Sequence, residues 1–264
     1  MDIGIADRTV VVTGASGGIG FDIASLFAQQ GSNVVAQYHN NRERAHQLEH
    51  DLGRQRCLAV AADLTDETAV ENLFQTSLQH FGPIQHLVCN AGIWPPHHTP
   101  IVDMQLEQWQ NTLNVNLTSV FLCCRTFLRQ TREQRIHDPS IVFVGSTAGI
   151  FGEAGHADYA SAKSGFIYGL MNSLKNEIVR FSPQGRVNTV SPGWVLTPMT
   201  RKFAEDKSAM REALATIALN KVATTADIAN AVLFLSSSKL SGHITGQNLV
   251  VSGGMEGRLL NPVH

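Results

Sequence analysis

The amino-acid sequence predicts an α/β fold: a single Rossmann-like, doubly wound domain whose parallel sheet has about seven strands flanked by helices. Short runs rich in β-branched residues alternate with longer amphipathic segments along the 264 residues. The short runs also lack polar alternation, which is typical of strands buried on both faces. Strands that alternate with helices form right-handed βαβ units, and such units build an open parallel sheet.

The predicted elements follow one another without a repeat, a low-complexity tract or a linker rich in proline and serine. The predicted strands are Thr9–Thr13, Asn33–Tyr38, Cys57–Ala61, His86–Cys89, Ser140–Val144, Arg186–Val190 and Asn248–Val251. Helix-length patterns lie near 19–30, 41–52, 66–81, 104–131, 158–181 and 225–236. One domain is therefore expected to cover residues 1–264.

Composition and charge exclude several kinds of partner. Lys and Arg number 20 and Asp and Glu 22, which gives a formal net charge of −2 and a pI near 6.6. No global field therefore draws the protein to nucleic acid or to an anionic membrane. Charged residues make up 16% of the chain, against about 25% in an average soluble protein. This low fraction suits a compact enzyme, or an oligomer that buries much of its surface.

The sequence also carries signals about location. No apolar run approaches the roughly 18 residues that span a bilayer. Residues 1–8 lack the basic segment and apolar stretch of a signal peptide. The four cysteines, Cys57, Cys89, Cys123 and Cys124, form no C-x-x-C pair, and most of them lie in apolar patterns. Reduced, buried cysteines and a cytoplasmic location are therefore expected.

A glycine-rich segment, Thr13–Gly20, follows the first predicted strand and opens a helix. Its glycines are spaced G-x-x-x-G-x-G, at Gly14, Gly18 and Gly20, rather than in the G-x-G-x-x-G pattern of many dinucleotide sites. The physical demands are the same: a sharp turn, close approach of the backbone to a pyrophosphate, and close packing of helix on sheet. The helix N-terminus supplies free N–H groups and a positive dipole end. The segment predicts a dinucleotide site.

The residues after the second predicted strand bear on which dinucleotide binds. An NAD site usually has Asp or Glu here to accept a hydrogen bond from the ribose 2′-hydroxyl. No acidic residue occurs between Gly31 and Arg42. A carboxylate would repel a 2′-phosphate, whereas His39, Asn40 and Arg42 would accommodate one. The sequence therefore favours NADP(H).

NAD(H) stays possible for two reasons. Gly17 stands where a second basic contact with a phosphate could have stood. Arg42 alone is also typical of a solvated residue in the first turn of a helix. With NADH as the cofactor, Gln37 or Tyr38 would contact the ribose.

Tyr159 and Lys163 are spaced i and i+4 in the helix-length pattern 158–181, so they lie on one helix face. A free tyrosine has a pKa near 10, and a nearby ammonium lowers that pKa toward neutral pH. Ser146 follows the fifth predicted strand, at the carboxyl edge where open α/β sheets bind ligands. Its hydroxyl could donate a hydrogen bond to a substrate carbonyl. Taken alone, a Tyr–Lys pair is more often structural than catalytic.

Together these segments resemble the short-chain dehydrogenase/reductase family. The resemblance covers nearly the whole chain and its length fits the compact branch, which includes 3-oxoacyl-carrier-protein reductases, rather than the longer epimerase-type branch. Enoyl-reductase relatives have a wider Tyr-to-Lys spacing. The matching segments are Thr13–Gly20, Asp63-Leu64, Asn90-Ala91-Gly92, Asn116, Ser146, Tyr159 with Lys163, and Pro192-Gly193.

The resemblance implies a catalytic set of Asn116, Ser146, Tyr159 and Lys163. Tyr159 would protonate the carbonyl oxygen during reduction, or take the hydroxyl proton during oxidation, while Ser146 orients that oxygen. Lys163 would hold the nicotinamide ribose hydroxyls and lower the pKa of Tyr159. Asn116 would hold a water that links Lys163 to solvent. Taken alone, Asn116 or its neighbour Asn114 would sooner cap a helix or pack in the core.

The resemblance also implies a cofactor site along the carboxyl edge of the sheet. Asp63 would accept a hydrogen bond from the adenine amino group, although a turn or cap aspartate is the simpler alternative. The Val195 backbone and the Thr197 hydroxyl would engage the nicotinamide carboxamide. The expected cofactor-binding residues are Gly14, Ser16, Gly18, Ile19, Gly20, Tyr38, His39, Asn40, Arg42, Asp63, Leu64, Asn90, Ala91, Gly92, Tyr159, Lys163, Pro192, Gly193, Val195 and Thr197.

Four residues are candidates for the substrate pocket: Trp94, Phe151, His156 and Trp194. The two tryptophans would suit an apolar or ring-bearing substrate, although either could instead lie in the core or between subunits. A substrate lid is expected near 197–216, because charged residues interrupt a short helix pattern there.

Two further patterns concern metals and assembly. The adjacent histidines His97-His98 lack the spacing that favours metal ligation, so no metal is expected. The apolar patterns at 109–128 and 165–174 exceed what packing on one sheet face needs. In members of the family such helices pair between subunits, so a homo-oligomer, either a dimer or a tetramer, is expected.

The function implied is an NADP(H)-preferring oxidoreductase that interconverts a carbonyl and a secondary alcohol. The substrate is either a 3-oxoacyl thioester or another ketone. Only Arg201, Lys202 and Arg211 near the lid offer basic contacts for an acidic carrier protein. A third possibility is a catalytically silent dinucleotide sensor. Such a protein would be expected to lose the tyrosine or the lysine, and both are present.

Overall fold

A computed structural model of the chain describes residues 2–198, 200 and 205–255. Its seven strands form one sheet in the order β3-β2-β1-β4-β5-β6-β7, and all the neighbouring pairs run parallel. The strands are β1 (Thr9–Val12), β2 (Asn33–Tyr38), β3 (Cys57–Ala61), β4 (Ile84–Cys89), β5 (Ser140–Val144), β6 (Arg186–Pro192) and β7 (Asn248–Val251). The predicted fold class is confirmed.

Helices connect the strands and cover the sheet. They are α1 (Gly18–Gln29), α2 (Arg42–Leu52), α3 (Glu67–Phe81), α4 (Leu106–Leu113), α5 (Ser119–Glu133), α6 (Ala148–Phe151), α7 (Ala157–Ser164), α8 (Met171–Ile178), α9 (Lys207–Ala215), α10 (Thr225–Ser236) and α11 (Ser238–Ser241). None of these described helices has the length and apolar character needed to cross a membrane.

Two long predicted helices are each interrupted by a π-helical turn. The pattern near 104–131 comprises α4, a π-helical turn π1 (Asn114–Thr118) and α5. The pattern 158–181 comprises α7, a second turn π2 (Gly165–Leu170) and α8. A wider turn leaves the apolar periodicity almost unchanged, so the sequence pattern does not reveal it.

The core has two halves, one on each face of the sheet, because successive side chains of a strand point to opposite faces. On β1, Val11 packs into the half that contains Phe127 of α5. Its neighbours Val10 and Val12 pack into the other half, which contains Phe27 of α1. All four cysteines are free and buried, as predicted.

The expectation that every strand is covered on both faces is wrong for β7. Leu249 and Val250 are 38% and 41% exposed. The physical reason is position: β7 is the last strand of the sheet and pairs only with β6.

A buried arginine joins the sheet to the last helices. Arg186 begins β6, and its guanidinium donates hydrogen bonds to the carbonyl of Ser236 at 2.8 Å and to the Ser241 hydroxyl at 2.9 Å. It also donates to the carbonyl of Leu235. These acceptors lie at the end of α10 and in α11, so one side chain satisfies the carbonyls of a helix end inside the core.

We expect Arg186→Met to lower the free energy of unfolding by about 3 kcal/mol, because each buried carbonyl left without a donor costs about 1–3 kcal/mol. Urea unfolding followed by circular dichroism measures the change. Arg180→Met is the control: Arg180 is exposed, so its replacement should change stability by less than about 0.5 kcal/mol. Equal stability of the two variants would contradict the role given to Arg186.

Candidate active site

The glycine-rich turn after β1 lies at the carboxyl edge of the sheet. At two of its glycines there is no room for a side chain. Gly14 has a φ of +63°, and a Cβ there would lie 2.9 Å from the Cα of Ala91. At Gly20 a Cβ would lie 2.3 Å from the carbonyl oxygen of Gly14. Helix α1 starts at Gly18 with neither a side-chain cap nor an acidic residue in its first turn. This end of α1 therefore suits an anionic ligand.

Asn90 ties the end of β4 to this turn. Its side-chain amide donates to the carbonyls of Thr13 at 3.0 Å and of Gly14 at 3.2 Å. In return the Thr13 hydroxyl accepts from the backbone N–H groups of Asn90 and Ala91, at 2.9 and 3.0 Å. The Asn90-Ala91-Gly92 segment is thus fixed against the glycine turn.

The segment after β6 closes over the same turn. A Cβ added to Gly18 would lie 3.0 Å from the Thr197 side chain. Pro192 ends β6, and Gly193 donates its N–H to the carbonyl of Val251. The structure therefore brings together Gly18 and Thr197, two of the expected cofactor contacts from opposite ends of the chain.

The side-chain amide of Gln37, considered above as a ribose contact, is already hydrogen-bonded to backbone groups of the protein. Its Oε1 accepts from the Gly14 N–H at 2.8 Å, and its Nε2 donates to the Ala62 carbonyl at 2.8 Å. Gln37 is buried, and its hydrogen bond to Gly14 connects β2 to the glycine turn. Tyr38 is also buried, and its hydroxyl lies 3.5 Å from Nε2 of His46 on α2.

The expected 2′-phosphate residues His39, Asn40 and Arg42 are exposed at the carboxyl end of β2. Nε2 of His39 lies 3.9 Å from Oδ2 of Asp63. A second arginine, which the sequence analysis missed, completes this region. The guanidinium of Arg44 lies 4.9 Å from the ring centroid of Phe21 in α1. Its signal was available, since it stands two residues after Arg42.

Asp63 forms a turn with Thr65 that occupies one of its oxygens. Oδ1 accepts from the Thr65 N–H at 2.9 Å and from the Thr65 hydroxyl at 2.7 Å. These two hydrogen bonds lower the pKa of the Asp63 carboxyl. Oδ2 faces His39, and Leu64 is buried behind the turn.

Ser146, Tyr159 and Lys163 meet at the carboxyl end of β5. Ser146 lies close enough to Tyr159 to lower the pKa of its phenol, and the Ser146 hydroxyl accepts from the Ala148 N–H at 3.1 Å. Nζ of Lys163 donates to the carbonyl of Val144 at 3.0 Å and lies 5.6 Å from the ring centroid of Tyr159. The three residues are therefore one constellation at the sheet edge.

Asn116 lies in the π1 turn and is fully buried. Its Oδ1 accepts from the Ile93 N–H at 3.0 Å, and its Nδ2 donates to the carbonyls of Ile93 at 3.1 Å and Thr112 at 3.0 Å. A Cβ on Gly92 would lie 2.4 Å from Oδ1 of Asn116. The side chain thus locks the π1 turn onto the loop after β4, close to Lys163.

Burial shifts the pKa values of Tyr159 and Lys163 in opposite directions. Removal from solvent raises the pKa of Tyr159 to about 12, with the Ser146 hydrogen bond lowering it and the Glu153 carboxylate raising it. Burial lowers the pKa of Lys163 to about 8. The lowering of the Tyr159 pKa by Lys163 stays a prediction, because burial is the largest influence on the phenol here and its pKa lies above the ordinary value.

Asp158 is a buried carboxylate that the sequence analysis missed. Its Oδ2 accepts from the Thr112 hydroxyl at 2.8 Å and from Nε2 of Gln108 at 3.1 Å. Its Oδ1 accepts from the Tyr159 N–H at 2.9 Å. Asp158 thereby ties the start of α7, and with it Tyr159, to α4. An acidic residue in the first turn of a helix was the available signal.

Of the four candidate substrate residues, three form one cluster, which includes the N-cap residue of α7, His156. The Trp94 and His156 rings stack with centroids 4.8 Å apart, and the Trp94 and Trp194 rings meet edge to face at 6.4 Å. His156 is buried, and both tryptophans are half-buried. Phe151 is 50% exposed and takes part in none of the ring contacts found among the described residues. Of the expected lid, Met199 and residues 201–204, which include Arg201 and Lys202, lie outside the described residues.

Comparisons with known proteins agree on one family. A family model described as enoyl-(acyl carrier protein) reductase matches residues 14–256. The chain is 35% identical to the 3-oxoacyl-[acyl-carrier-protein] reductase of Chlamydia trachomatis over 254 residues, which cover 95% of this chain and 98% of that protein. It is 34% identical to the corresponding reductase of Escherichia coli over 248 residues, which cover 94% and 97%.

A solved structure resembles the whole fold. It is titled short-chain dehydrogenase/reductase, glucose/ribitol dehydrogenase, from Brucella melitensis. It superposes with a TM-score of 0.87 at 31% identity, covering 97% of this chain and 99% of that one.

The lowered pKa of Lys163 predicts how the free energy of unfolding depends on pH. The unfolded chain keeps the lysine proton up to its ordinary pKa of 10.5, whereas the folded protein releases it near 8. Between these values the unfolded state binds more protons, so the free energy of unfolding rises with pH, by up to about 1.4 kcal/mol per pH unit. Lys163→Met lacks this contribution.

We therefore expect the free energy of unfolding of the wild type, minus that of Lys163→Met, to increase from about pH 8 to about pH 10.5. Tyr159 is present in both proteins, so its own titration largely cancels in the difference. Urea unfolding at several pH values measures it. A difference that stays flat across this window would show that Lys163 is not held in a low-pKa environment.

Proposed function

The chain belongs to the short-chain dehydrogenase/reductase family of NAD(P)-dependent oxidoreductases, and from this premise we propose that it is an NADP(H)-preferring reductase that converts a ketone into a secondary alcohol. The observation that carries the proposal is the meeting of Ser146, Tyr159 and Lys163 beside the glycine turn. In this proposal, residues 1–264 form one catalytic domain with a substrate lid near 197–216.

The residues at the carboxyl edge fit a dinucleotide. A Cβ at Gly14, Gly18 or Gly20 would crowd neighbouring protein atoms, so only glycines allow this turn to pack so closely. The uncapped start of α1 suits a pyrophosphate. Asp63, through its Oδ2, would hold the adenine. Thr197 and the Val195 backbone would hold the nicotinamide end. The bound cofactor supplies a hydride to the carbonyl carbon.

The side chains handle the proton and the geometry. Tyr159 would donate its phenolic proton to the carbonyl oxygen, and Ser146 would orient that oxygen with its hydroxyl. Since burial raises the pKa of Tyr159 to about 12, the phenol keeps its proton at neutral pH and so has a proton to donate. Lys163 would hold the ribose hydroxyls of the cofactor. Asn116 would hold a water near Lys163 through its backbone carbonyl or the remaining lone pair of Oδ1, because its amide hydrogens are already used.

The preference for NADP(H) has a direct electrostatic basis. His39, Asn40 and Arg42 are exposed at the end of β2, and Arg44 lies over Phe21 at the start of α1. Cationic and amide groups here favour the dianionic 2′-phosphate.

Two substrate classes fit the site. A 3-oxoacyl thioester is favoured by the relatives, which are named as reductases of that substrate on a carrier protein. Another, ring-bearing ketone is favoured by the stacked Trp94, His156 and Trp194 side chains. The spacing of four between Tyr159 and Lys163 favours carbonyl reduction over the enoyl reduction that the matching family model is described by. A silent dinucleotide sensor is disfavoured because the constellation is intact.

We also propose a homo-oligomer, a dimer or a tetramer, in the cytoplasm. Phe121 of α5 and Tyr168 of the π2 turn are 44% and 55% exposed. Such apolar side chains on neighbouring helices suit a contact with a second copy. The four free cysteines suit a reducing compartment.

We expect Tyr159→Phe to reduce turnover of a ketone by at least about a hundredfold, because general acid catalysis contributes about 10²–10⁴-fold. Binding of NADPH, followed by quenching of tryptophan fluorescence, should change little. Tyr168→Phe is the matched control: it removes the same hydroxyl from a side chain that is 55% exposed, and it should keep wild-type activity. Retention of most activity by Tyr159→Phe would overturn the proposed mechanism.

We expect the double variant Arg42→Gln, Arg44→Gln to weaken NADPH binding about tenfold or more, because a charge-assisted hydrogen bond is worth about 1.5–3 kcal/mol. NADH binding should be nearly unchanged, since NADH has no 2′-phosphate. Fluorescence titration with each cofactor measures both constants. An equal loss for NADPH and NADH, or tighter binding of NADH by the wild type, would contradict the preference.

A further inference from the structure

Asp158 lies in the first turn of α7, immediately before Tyr159, and the mechanism above gives it no part. Its side chain is fully buried. Oδ1 accepts from the Tyr159 backbone N–H at 2.9 Å, and Oδ2 accepts from the Thr112 hydroxyl at 2.8 Å and from Nε2 of Gln108 at 3.1 Å. One carboxylate therefore connects the start of α7 to α4, with both of its oxygens in use.

The backbone N–H of Tyr159 belongs to the first turn of α7, where N–H groups have no partner within the helix. The helix starts at Ala157, and its N-cap residue His156 makes no capping hydrogen bond with its side chain. The Asp158 carboxylate accepts from the Tyr159 N–H instead. The satisfied N–H is thus that of the residue whose phenol is proposed to donate the proton.

Thr112 extends this connection to Asn116. The hydroxyl of Thr112 donates to Asp158, and its backbone carbonyl accepts from Nδ2 of Asn116 at 3.0 Å. Thr112 is 1% exposed, and Asn116 is fully buried. Asn116 in turn accepts from the Ile93 N–H at 3.0 Å. A continuous path of buried hydrogen bonds therefore runs from the start of α7 through Thr112 to the π1 turn and the loop after β4.

The direction of these hydrogen bonds explains why an acceptor suits position 158. The Tyr159 N–H, the Thr112 hydroxyl and the Gln108 amide all donate toward it. An ionised carboxylate has two acceptor oxygens and about four lone-pair sites. An apolar side chain would leave these donors without an acceptor, so the first turn of α7 would shift or open to water.

We propose that Asp158 is a positioning residue that holds the start of α7 against α4 through Thr112, and so keeps the Tyr159 phenol where it can donate its proton. A general acid has to lie within hydrogen-bond reach of the atom that it protonates. Misplacement by about 1 Å lowers a rate by about 10²-fold. This inference rests on the proposed role of Tyr159 as the proton donor.

Hydrogen exchange tests the arrangement without substrate or cofactor. The chain has three tyrosines, Tyr38, Tyr159 and Tyr168, so isotopic labelling of tyrosine nitrogen gives three amide signals in NMR, and Tyr159→Phe assigns one of them. We expect the Tyr159 amide hydrogen to exchange at least about tenfold faster in Asp158→Ala than in the wild type, because its acceptor is lost. Equal exchange rates in the two proteins would overturn the proposal.

Steady-state reduction of ethyl acetoacetate, a neutral 3-oxo ester, by NADPH tests the effect on the reaction. We expect Asp158→Ala to lower kcat about tenfold or more, while the KM for the ester and the Kd for NADPH stay within about twofold. The reason is that the change displaces the proton donor but removes no contact with either ligand. A rise of KM and Kd without a fall in kcat would contradict the proposal.

Asp158→Asn is the conservative rescue. The asparagine oxygen can accept from the Tyr159 N–H, and its amide can donate to the hydroxyl oxygen of Thr112, so the connection between α7 and α4 is kept. We expect kcat to stay within about threefold of the wild type and the Tyr159 amide to stay protected from exchange. Losses as large as those in Asp158→Ala would contradict the proposal.

Thr112→Val tests the other end of the connection and needs no folded Asp158 variant. It keeps the branched side chain and the carbonyl that binds Asn116 but lacks the hydroxyl, so kcat should fall about threefold or more. Added to Asp158→Ala it should lower kcat no further, because both changes remove the same bridge. Thr118→Val, at an exposed threonine of the π1 turn, is the matched control and should keep wild-type turnover.

Wild-type kcat in folded Thr112→Val, or losses that multiply in the double variant, would overturn the proposal. Failure of this inference is distinct from failure of the proposed function. In the first case Tyr159→Phe is inactive but Asp158→Ala or Thr112→Val turns over like the wild type. In the second case Tyr159→Phe itself keeps its activity.

Discussion

Three side-chain amides hold the carboxyl edge of the sheet together, and the rest of the site depends on them. Gln37 joins β2 to the glycine turn, Asn90 joins the end of β4 to the same turn, and Asn116 joins the π1 turn to the loop after β4. The amides of Gln37 and Asn116 each satisfy backbone groups of two separate segments, and the amide of Asn90 satisfies two carbonyls of the glycine turn. A buried backbone group left unpaired costs about 1–3 kcal/mol, so these bridges fix loops that would otherwise be free to move.

On this frame the site combines polar chemistry with removal from water. Lys163 and Tyr159 lose hydration together, which moves their pKa values apart, to about 8 for the lysine and about 12 for the tyrosine. The result is a protonated phenol beside a lysine that gives up its proton at a lower pH than an ordinary lysine does. Two carboxylates also act on Tyr159. Asp158 accepts a hydrogen bond from the Tyr159 backbone N–H, and the charge of Glu153 raises the pKa of the Tyr159 phenol. This balance bears on the acid–base role proposed for Tyr159.

Much of the fold and of the candidate site could be predicted because the signals are local. Each predicted strand is present, four with the predicted bounds and three with one end moved by one or two residues, since a β-branched run in one chain segment is enough to indicate it. Ser146, Tyr159 and Lys163 follow from one strand end and one helix face. The glycine turn follows from the steric demands of a sharp bend. These inferences need only neighbours in sequence and the rule that parallel strands end at one edge.

Other features depend on partners far apart in the chain, and no local pattern carries them. The stacking of Trp94 on His156, the position of Arg44 over Phe21 and the burial of Asp158 each join separate segments. The pKa of Tyr159 is the clearest case. The sequence alone determined that a lysine stands one turn away, which argues for a lower pKa. Only the tertiary structure decided that the pKa of this phenol is raised, because burial is a property of the packed fold and removal from water disfavours the phenolate.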